Sequence, residues 1–209
     1  MPKLSAVPVD YHAHLSRDKK LQKIMNGRLT ELPIRKNICL KLIGSIMSQQ
    51  LSTKVADVIY SRFLQLYNGK EPTPRQILDT PATTLRGIGL SNAKVTYVQN
   101  VATFVLAEKI TDSRLMKMHD EEIITYLTQI KGVGRWTVEM LLMFYLGRED
   151  VFAVDDWGLQ QAMIKIYRLD PTDKKQLRLK LKEISGKWSP FRTHACRYLW
   201  AWKDNEPNP

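Results

Sequence analysis

Two adjacent aspartates, Asp155 and Asp156, follow the apolar run Val151-Phe152-Ala153-Val154 and precede Trp157-Gly158. A carboxylate at a helix start ordinarily serves as the N-cap, accepting amide hydrogen bonds. One cap would suffice. A second carboxylate beside apolar surface suits a site that must stabilise developing positive charge. Twenty-two positions before Asp156 stands Gly134, the second glycine of Lys131-Gly132-Val133-Gly134-Arg135. So tight a turn needs positive φ or close backbone approach, and glycine permits both. Its amides, with the N-terminus of the next helix, form a donor-rich nest for a phosphate, to which Lys131 and Arg135 add charge. An ordinary corner between two helices is the competing account. The stretch Leu85-Arg86-Gly87-Ile88-Gly89-Leu90-Ser91 repeats the pattern, as a second backbone contact or simply a turn.

The other chemistry-bearing residue types are sparse. Cys39 and Cys196 are too few and too far apart for a disulfide framework or a four-thiolate cluster, and both sit in apolar-periodic stretches. His12, His14, His119 and His194 have no metal-ligand spacing, so no metal site is expected. The chain has 209 residues, 44% of them hydrophobic, enough for one domain or two small lobes. Thirty-two Lys and Arg against twenty-one Asp and Glu give a net charge of +11. That excess favours a polyanionic partner, because phosphate contacts release condensed counterions. The longest apolar run, Met140 to Leu146, is too short for a bilayer, and no cleavable signal opens the chain. An intracellular protein is expected, without a membrane partner: cytoplasmic or nucleoid-associated in a bacterium, nuclear in a eukaryote.

The elements that must hold these residues are helices almost throughout, since apolar residues recur at three- and four-residue spacing. Helices are predicted within 17–27, after Pro33, over 53–67, 91–109, 120–130 and 135–146, then from Asp155 or Asp156 to about Tyr167, and over 173–186. Asn68-Gly69, Gly147 and the N-cap Ser91 punctuate them. Ser189-Pro190 reads as an N-cap with proline at the first helical position, opening a last helix to about Trp202. Residues 71–83 read as a loop with short helical turns. The fold class is all-α.

In order along the chain, Gln49-Gln50-Leu51-Ser52, Gly87-Ile88-Gly89-Leu90-Ser91, Gly132-Val133-Gly134-Arg135-Trp136-Thr137, Val154-Asp155-Asp156 and Trp188-Ser189-Pro190-Phe191-Arg192 resemble the helix-hairpin-helix DNA glycosylase superfamily. They are most similar to its 3-methyladenine DNA glycosylase II branch, over about residues 30–203, without that branch's N-terminal β-domain. The resemblance implies one domain over 1–209 with two helical lobes, a hairpin motif at about 120–146 and an active-site cleft between the lobes. It implies a monofunctional enzyme that flips an alkylated purine out of double-stranded DNA and hydrolyses its N-glycosidic bond. Asp156 matches the catalytic carboxylate, with Asp155 the remaining competitor. Trp136 and Trp200 match aromatic positions of the base pocket, where electron-rich rings attract cationic alkylated bases. Met140 stands where the family has a tyrosine. Leu90 matches the intercalating wedge, although packing onto the following helix would also explain it. Gln49 or Gln50 matches the group that probes the opposite strand, and Trp157 and Trp202 are expected to pack.

Relatives that also cleave the strand carry a lysine two residues past the second hairpin glycine, where this chain has Trp136. No cofactor is expected beyond a monovalent cation at the hairpin, and a monomer is the default for a one-to-one encounter with DNA. Two rivals stay open: a non-catalytic helix-hairpin-helix DNA-binding protein, and a glycosylase/lyase for other damaged bases.

Overall fold

A computed structural model describes residues 10–32, 34 and 37–205. Among the described residues there are thirteen α-helices and no strand. They divide into two compact units: the described parts of Met1–Leu32 with Gly147–Pro209, and of Pro33–Leu146.

The central unit is built of α3 (Ile38–Ser48), α4 (Thr53–Gln65), α5 (Pro74–Asp79), α6 (Ala82–Gly87), α7 (Asn92–Ala107), α8 (Asp112–Met116), α9 (Asp120–Leu127) and α10 (Arg135–Phe144). Helix α3 packs against α4 and α7, α5 against α7, and α10 against α9 and α3. Leu42, Ile43 and Ile46 of α3, Val98 and Val101 of α7, and Val138 and Leu142 of α10 are fully buried. Their three- and four-residue spacing turns one face of each helix inward. The expected stops act as read: Asn68 and Gly69 both take positive φ, and the Ser91 hydroxyl accepts from Lys94 N at 3.3 Å. The short helix α8 carries no long apolar period. Its first residue, Asp112, accepts from Asn37 N, Ile38 N and Tyr145 Oη, fastening the entry to α3.

The other unit holds α1 (Tyr11–Leu15), α2 (Lys19–Gln22), α11 (Trp157–Tyr167), α12 (Lys174–Gly186) and α13 (Arg192–Asp204). Helix α11 packs on α13 and α2. The helix expected within 17–27 is present but short, α2 alone, and a further short helix, α1, precedes that range. Asp18 starts α2 by capping it, accepting from Lys20 N and Leu21 N. It also accepts from Tyr167 Oη at 2.6 Å and Trp188 Nε1 at 3.1 Å. Ser189 is not an N-cap: α13 begins at Arg192, and the Ser189 hydroxyl donates to Asp150 Oδ2 at 2.7 Å. Arg192 clasps the same carboxylate, Nε to Oδ1 at 2.6 Å and Nη2 to Oδ2 at 3.0 Å, a planar two-point pair.

Candidate active site

The segment leading to Asp156 is tied down by α13. Thr193 Oγ1 donates to Arg148 O and accepts from Val151 N, while Thr193 N donates to Glu149 O. Burial alone would raise the Asp150 carboxyl, but hydrogen bonds from Arg192 and Ser189 outweigh it and hold the group below its ordinary range. A turn closed by Asp156 N on Ala153 O then delivers Asp156 to the N-cap of α11. Its Oδ1 accepts from Leu159 N at 2.8 Å and from Trp200 Nε1 at 2.9 Å, and the residue is only 9% exposed. Trp200 lies seven residues past Thr193, two turns on and on the same side of α13, so one helix fixes both the loop and the indole.

The two aspartates therefore part company. Asp156 turns inward onto Trp200, and Asp155 is exposed and ion-paired with Arg178 of α12. Asp156 is also the helix cap of α11, so the buried carboxylate and the cap are one residue. Gly158 makes room for this arrangement: a Cβ there would stand 3.1 Å from Asp156 Oδ1 and 3.3 Å from Trp200 Cδ1. Trp157 is not a packing residue as expected. It is 68% exposed, with Lys203 Nζ 5.1 Å above its ring. Trp202, half-buried, has Lys165 Nζ 5.7 Å from its ring.

The central unit holds the remaining expected residues. Gly132 takes φ +105°, and a Cβ there would fall 2.3 Å from Tyr97 Cγ. Glycine is thus required twice over, by conformation and by space. Val133 closes the turn, N to Ile130 O at 2.9 Å, and Gly134 caps α10 with backbone alone. The amides of the first turn of α10 have no carbonyl of their own helix to bond, which suits an anion. Lys131 is exposed beside them. Arg135, expected to add charge beside the nest, is held by two carboxylates: it bonds Glu121 through Nη1 and Nη2 and Glu139 Oε1 through Nε at 2.9 Å. The Glu121 carboxylate raises its pKa. The hairpin carbonyls are engaged as well, Ile130 O by Val133 N, Lys131 O by Asn100 Nδ2 and Gly132 O by Gln49 Nε2. Protein donors organise this turn.

Trp136 is 41% exposed and Met140 half-buried one turn later. Both line a cleft of about 550 Å³ within this unit, with Lys41, Ser45, Ser48 and Tyr60 on its other walls. Leu90 does not stand out as a wedge. It is 4% exposed, folded into the core as the following helix begins. The turn at 49–51, after α3, forms a more exposed tip. Gln49 is half-buried, Gln50 takes φ +59° and is exposed, and Leu51 is 38% exposed. Among the described residues, no cluster of His, Cys, Asp or Glu could hold a metal ion.

Residues 43–187 match the HhH-GPD superfamily of base excision DNA repair proteins. The chain belongs to this superfamily. It is 38% identical over 185 residues to DNA-3-methyladenine glycosylase 1 of Schizosaccharomyces pombe, covering 87% of this chain and 80% of the relative. The fold is similar to that of the Schizosaccharomyces pombe 3-methyladenine DNA glycosylase Mag1 in complex with abasic DNA. The TM-score is 0.79 at 35% identity, over 91% of this chain and 94% of that one. It is likewise similar to a DNA-3-methyladenine glycosidase of Bacillus halodurans, with a TM-score of 0.78 at 34% identity, covering 92% and 88%. Helix-hairpin-helix architecture is therefore the fold of this chain. No helix among the described residues is long and apolar enough to cross a membrane.

Sequence reasoning gave no role of their own to Leu51, Gly158, Lys94, Tyr97 and Asn100. The first had a signal, an apolar residue in a polar Gln-Gln-Leu-Ser turn. The others act through contacts between positions distant in sequence or across a helix turn, which spacing alone does not display.

Proposed function

We propose that this chain is a monofunctional DNA glycosylase that extrudes alkylated purines of the 3-methyladenine type from double-stranded DNA and hydrolyses their glycosidic bond. The observation that carries the assignment to a residue is Asp156, buried, capping α11 and held by the Trp200 indole N–H. A carboxylate fixed by two donors on Oδ1 keeps its position while positive charge develops on the sugar ring, so no reorganisation is needed at that moment. The bond from C1′ to the base breaks with its electron pair leaving on the base, already electron-poor through alkylation. A water oxygen then bonds C1′ and its proton passes to the carboxylate or to solvent. Trp136 and Met140, on the wall of the 550 Å³ cleft, offer an aromatic face and a polarizable thioether to a cationic base. The α10 amides and Lys131 grip the backbone, and the 49–51 tip replaces Leu90 as the group that fills the vacated stack. The work is done wherever the cell keeps its genomic DNA.

Tryptophan at 136 supplies no amine for a Schiff base, which favours base release alone over release with strand cleavage. The test is chromatography of bases freed from methylated duplex DNA. The wild type is expected to release methylpurines and leave alkali-sensitive, unnicked strands. Asp156→Asn is expected to lose release by at least about a hundredfold while retaining DNA affinity. Salt-dependent binding without any release identifies a non-catalytic DNA-binding protein. Nicking without alkali identifies a lyase.

A further inference from the structure

Helix α7 carries three polar or aromatic side chains, Lys94, Tyr97 and Asn100, each three residues from the next and so on one side of the helix. Each meets one of the two loops assigned above to DNA. The Lys94 ammonium donates to Met47 O at 2.9 Å and Gln49 O at 2.7 Å, at the C-terminal end of α3 where exposed carbonyls favour a cation. Burial lowers the pKa of this lysine, as expected for an ammonium drawn out of water onto backbone oxygens. Tyr97 fills the space that the missing Cβ of Gly132 leaves open. Asn100 Nδ2 donates to Lys131 O at 3.1 Å. Gln49 Nε2 closes the circuit on Gly132 O at 3.4 Å.

We infer that this face of α7 is a register device that holds the 49–51 tip at a fixed offset from the phosphate-gripping hairpin, with Lys94 the principal positioning residue. It rests on the proposed use of the tip as the group that enters the stack. The reason for such a device is geometric. Gln50 sits in a left-handed conformation that a non-glycine residue keeps only when its surroundings hold it. Lys94 bonds the carbonyl immediately before Gln50 and thereby fixes the peptide that launches the tip. The hairpin alone can bind backbone, since its turn and the α10 amides do not include Lys94. Loss of Lys94 should therefore spare binding and impair insertion.

The experiment uses the full chain and a duplex carrying a tetrahydrofuran abasic analogue opposite 2-aminopurine, whose fluorescence reports a group entering the stack. Lys94→Met keeps the aliphatic stem and removes the donors. It is expected to bind this duplex within about threefold of wild type by anisotropy, yet to lose most of the fluorescence change at saturation. Lys94→Arg, which retains cationic donors, should restore at least half of that change. Asn100→Leu, removing a more peripheral bond, should give a partial loss and serves if Lys94→Met fails to fold. A wild-type fluorescence change in Lys94→Met or, where that variant does not fold, in Asn100→Leu overturns the inference. So does a loss of binding that parallels the loss of signal. Base release by the wild type, measured separately on methylated DNA, decides the glycosylase assignment and leaves the two failures distinguishable.

Discussion

Replacing Gly158 by alanine isolates the Asp156–Trp200 contact from the rest of the fold. The new Cβ would lie 3.1 Å from Asp156 Oδ1, 3.3 Å from Trp200 Cδ1 and 3.4 Å from Trp200 Nε1. Carbon contacts relax toward about 3.5 Å or more, so carboxylate and indole must separate by a few tenths of an ångström. The bond between them measures 2.9 Å and would stretch to the edge of the useful range, at about 3.2 Å. A hydrogen bond to a charged group contributes about 1.5–3 kcal/mol. If it orients the carboxylate in the transition state, its loss slows base release by about tenfold to a hundredfold, at 1.4 kcal/mol per decade. Stability should fall by no more than about 2 kcal/mol, since Gly158 has no positive φ and the helix propensity gained by alanine, up to about 1 kcal/mol, offsets part of the weakened bond. The assay is single-turnover release of methylpurine from alkylated duplex, with thermal melting alongside. Trp200→Phe keeps the aromatic ring and removes the N–H, so the double variant Gly158→Ala/Trp200→Phe should be no slower than Trp200→Phe alone. Full activity in Gly158→Ala, or two penalties that simply multiply, would refute the coupling.

Three other perturbations have defined outcomes. Gly132→Ala forces a side chain into φ +105° and against Tyr97, and should cost about 3 kcal/mol or more by denaturant unfolding; Tyr97→Ala should restore only the steric part. Leu90→Ala should destabilise by about 2–5 kcal/mol as a buried truncation, whereas Leu51→Ala should leave melting unchanged and slow base release. His194 is buried, stacked 4.2 Å from the Tyr11 ring, and desolvation lowers its pKa from the ordinary 6.5. Below that pH the unfolded chain binds a proton that the folded chain refuses, so stability falls as pH drops through 6.5 and below, until the folded imidazole titrates. A His194→Gln variant should flatten that slope; an unchanged slope by pH-dependent unfolding would place its origin elsewhere.

Much of the fold was written locally. Apolar spacing, the Ser91 cap, the Asn68-Gly69 stop and the Gly132-Val133-Gly134 turn each depend on residues within one or two helical turns. They read correctly because helix phase and backbone permissiveness are local properties. That one of the two aspartates opens α11 was legible for the same reason, as was tryptophan in place of lysine after the hairpin; that the cap is Asp156 and not Asp155 was not. Tertiary structure decided whatever turns on partners far along the chain. It withdrew Leu90 into the core and left Gln50 and Leu51 exposed, because burial is settled by what packs around a turn. It matched Arg135 with Glu121 and Glu139, so that a basic residue beside a phosphate nest became a structural ion pair. It turned Asp155 out to Arg178 and Asp156 in to an indole forty-four residues away. Neighbouring aspartates are chemically identical as a sequence. The helix start that points one carboxylate toward α13 and the other toward solvent is what makes them different.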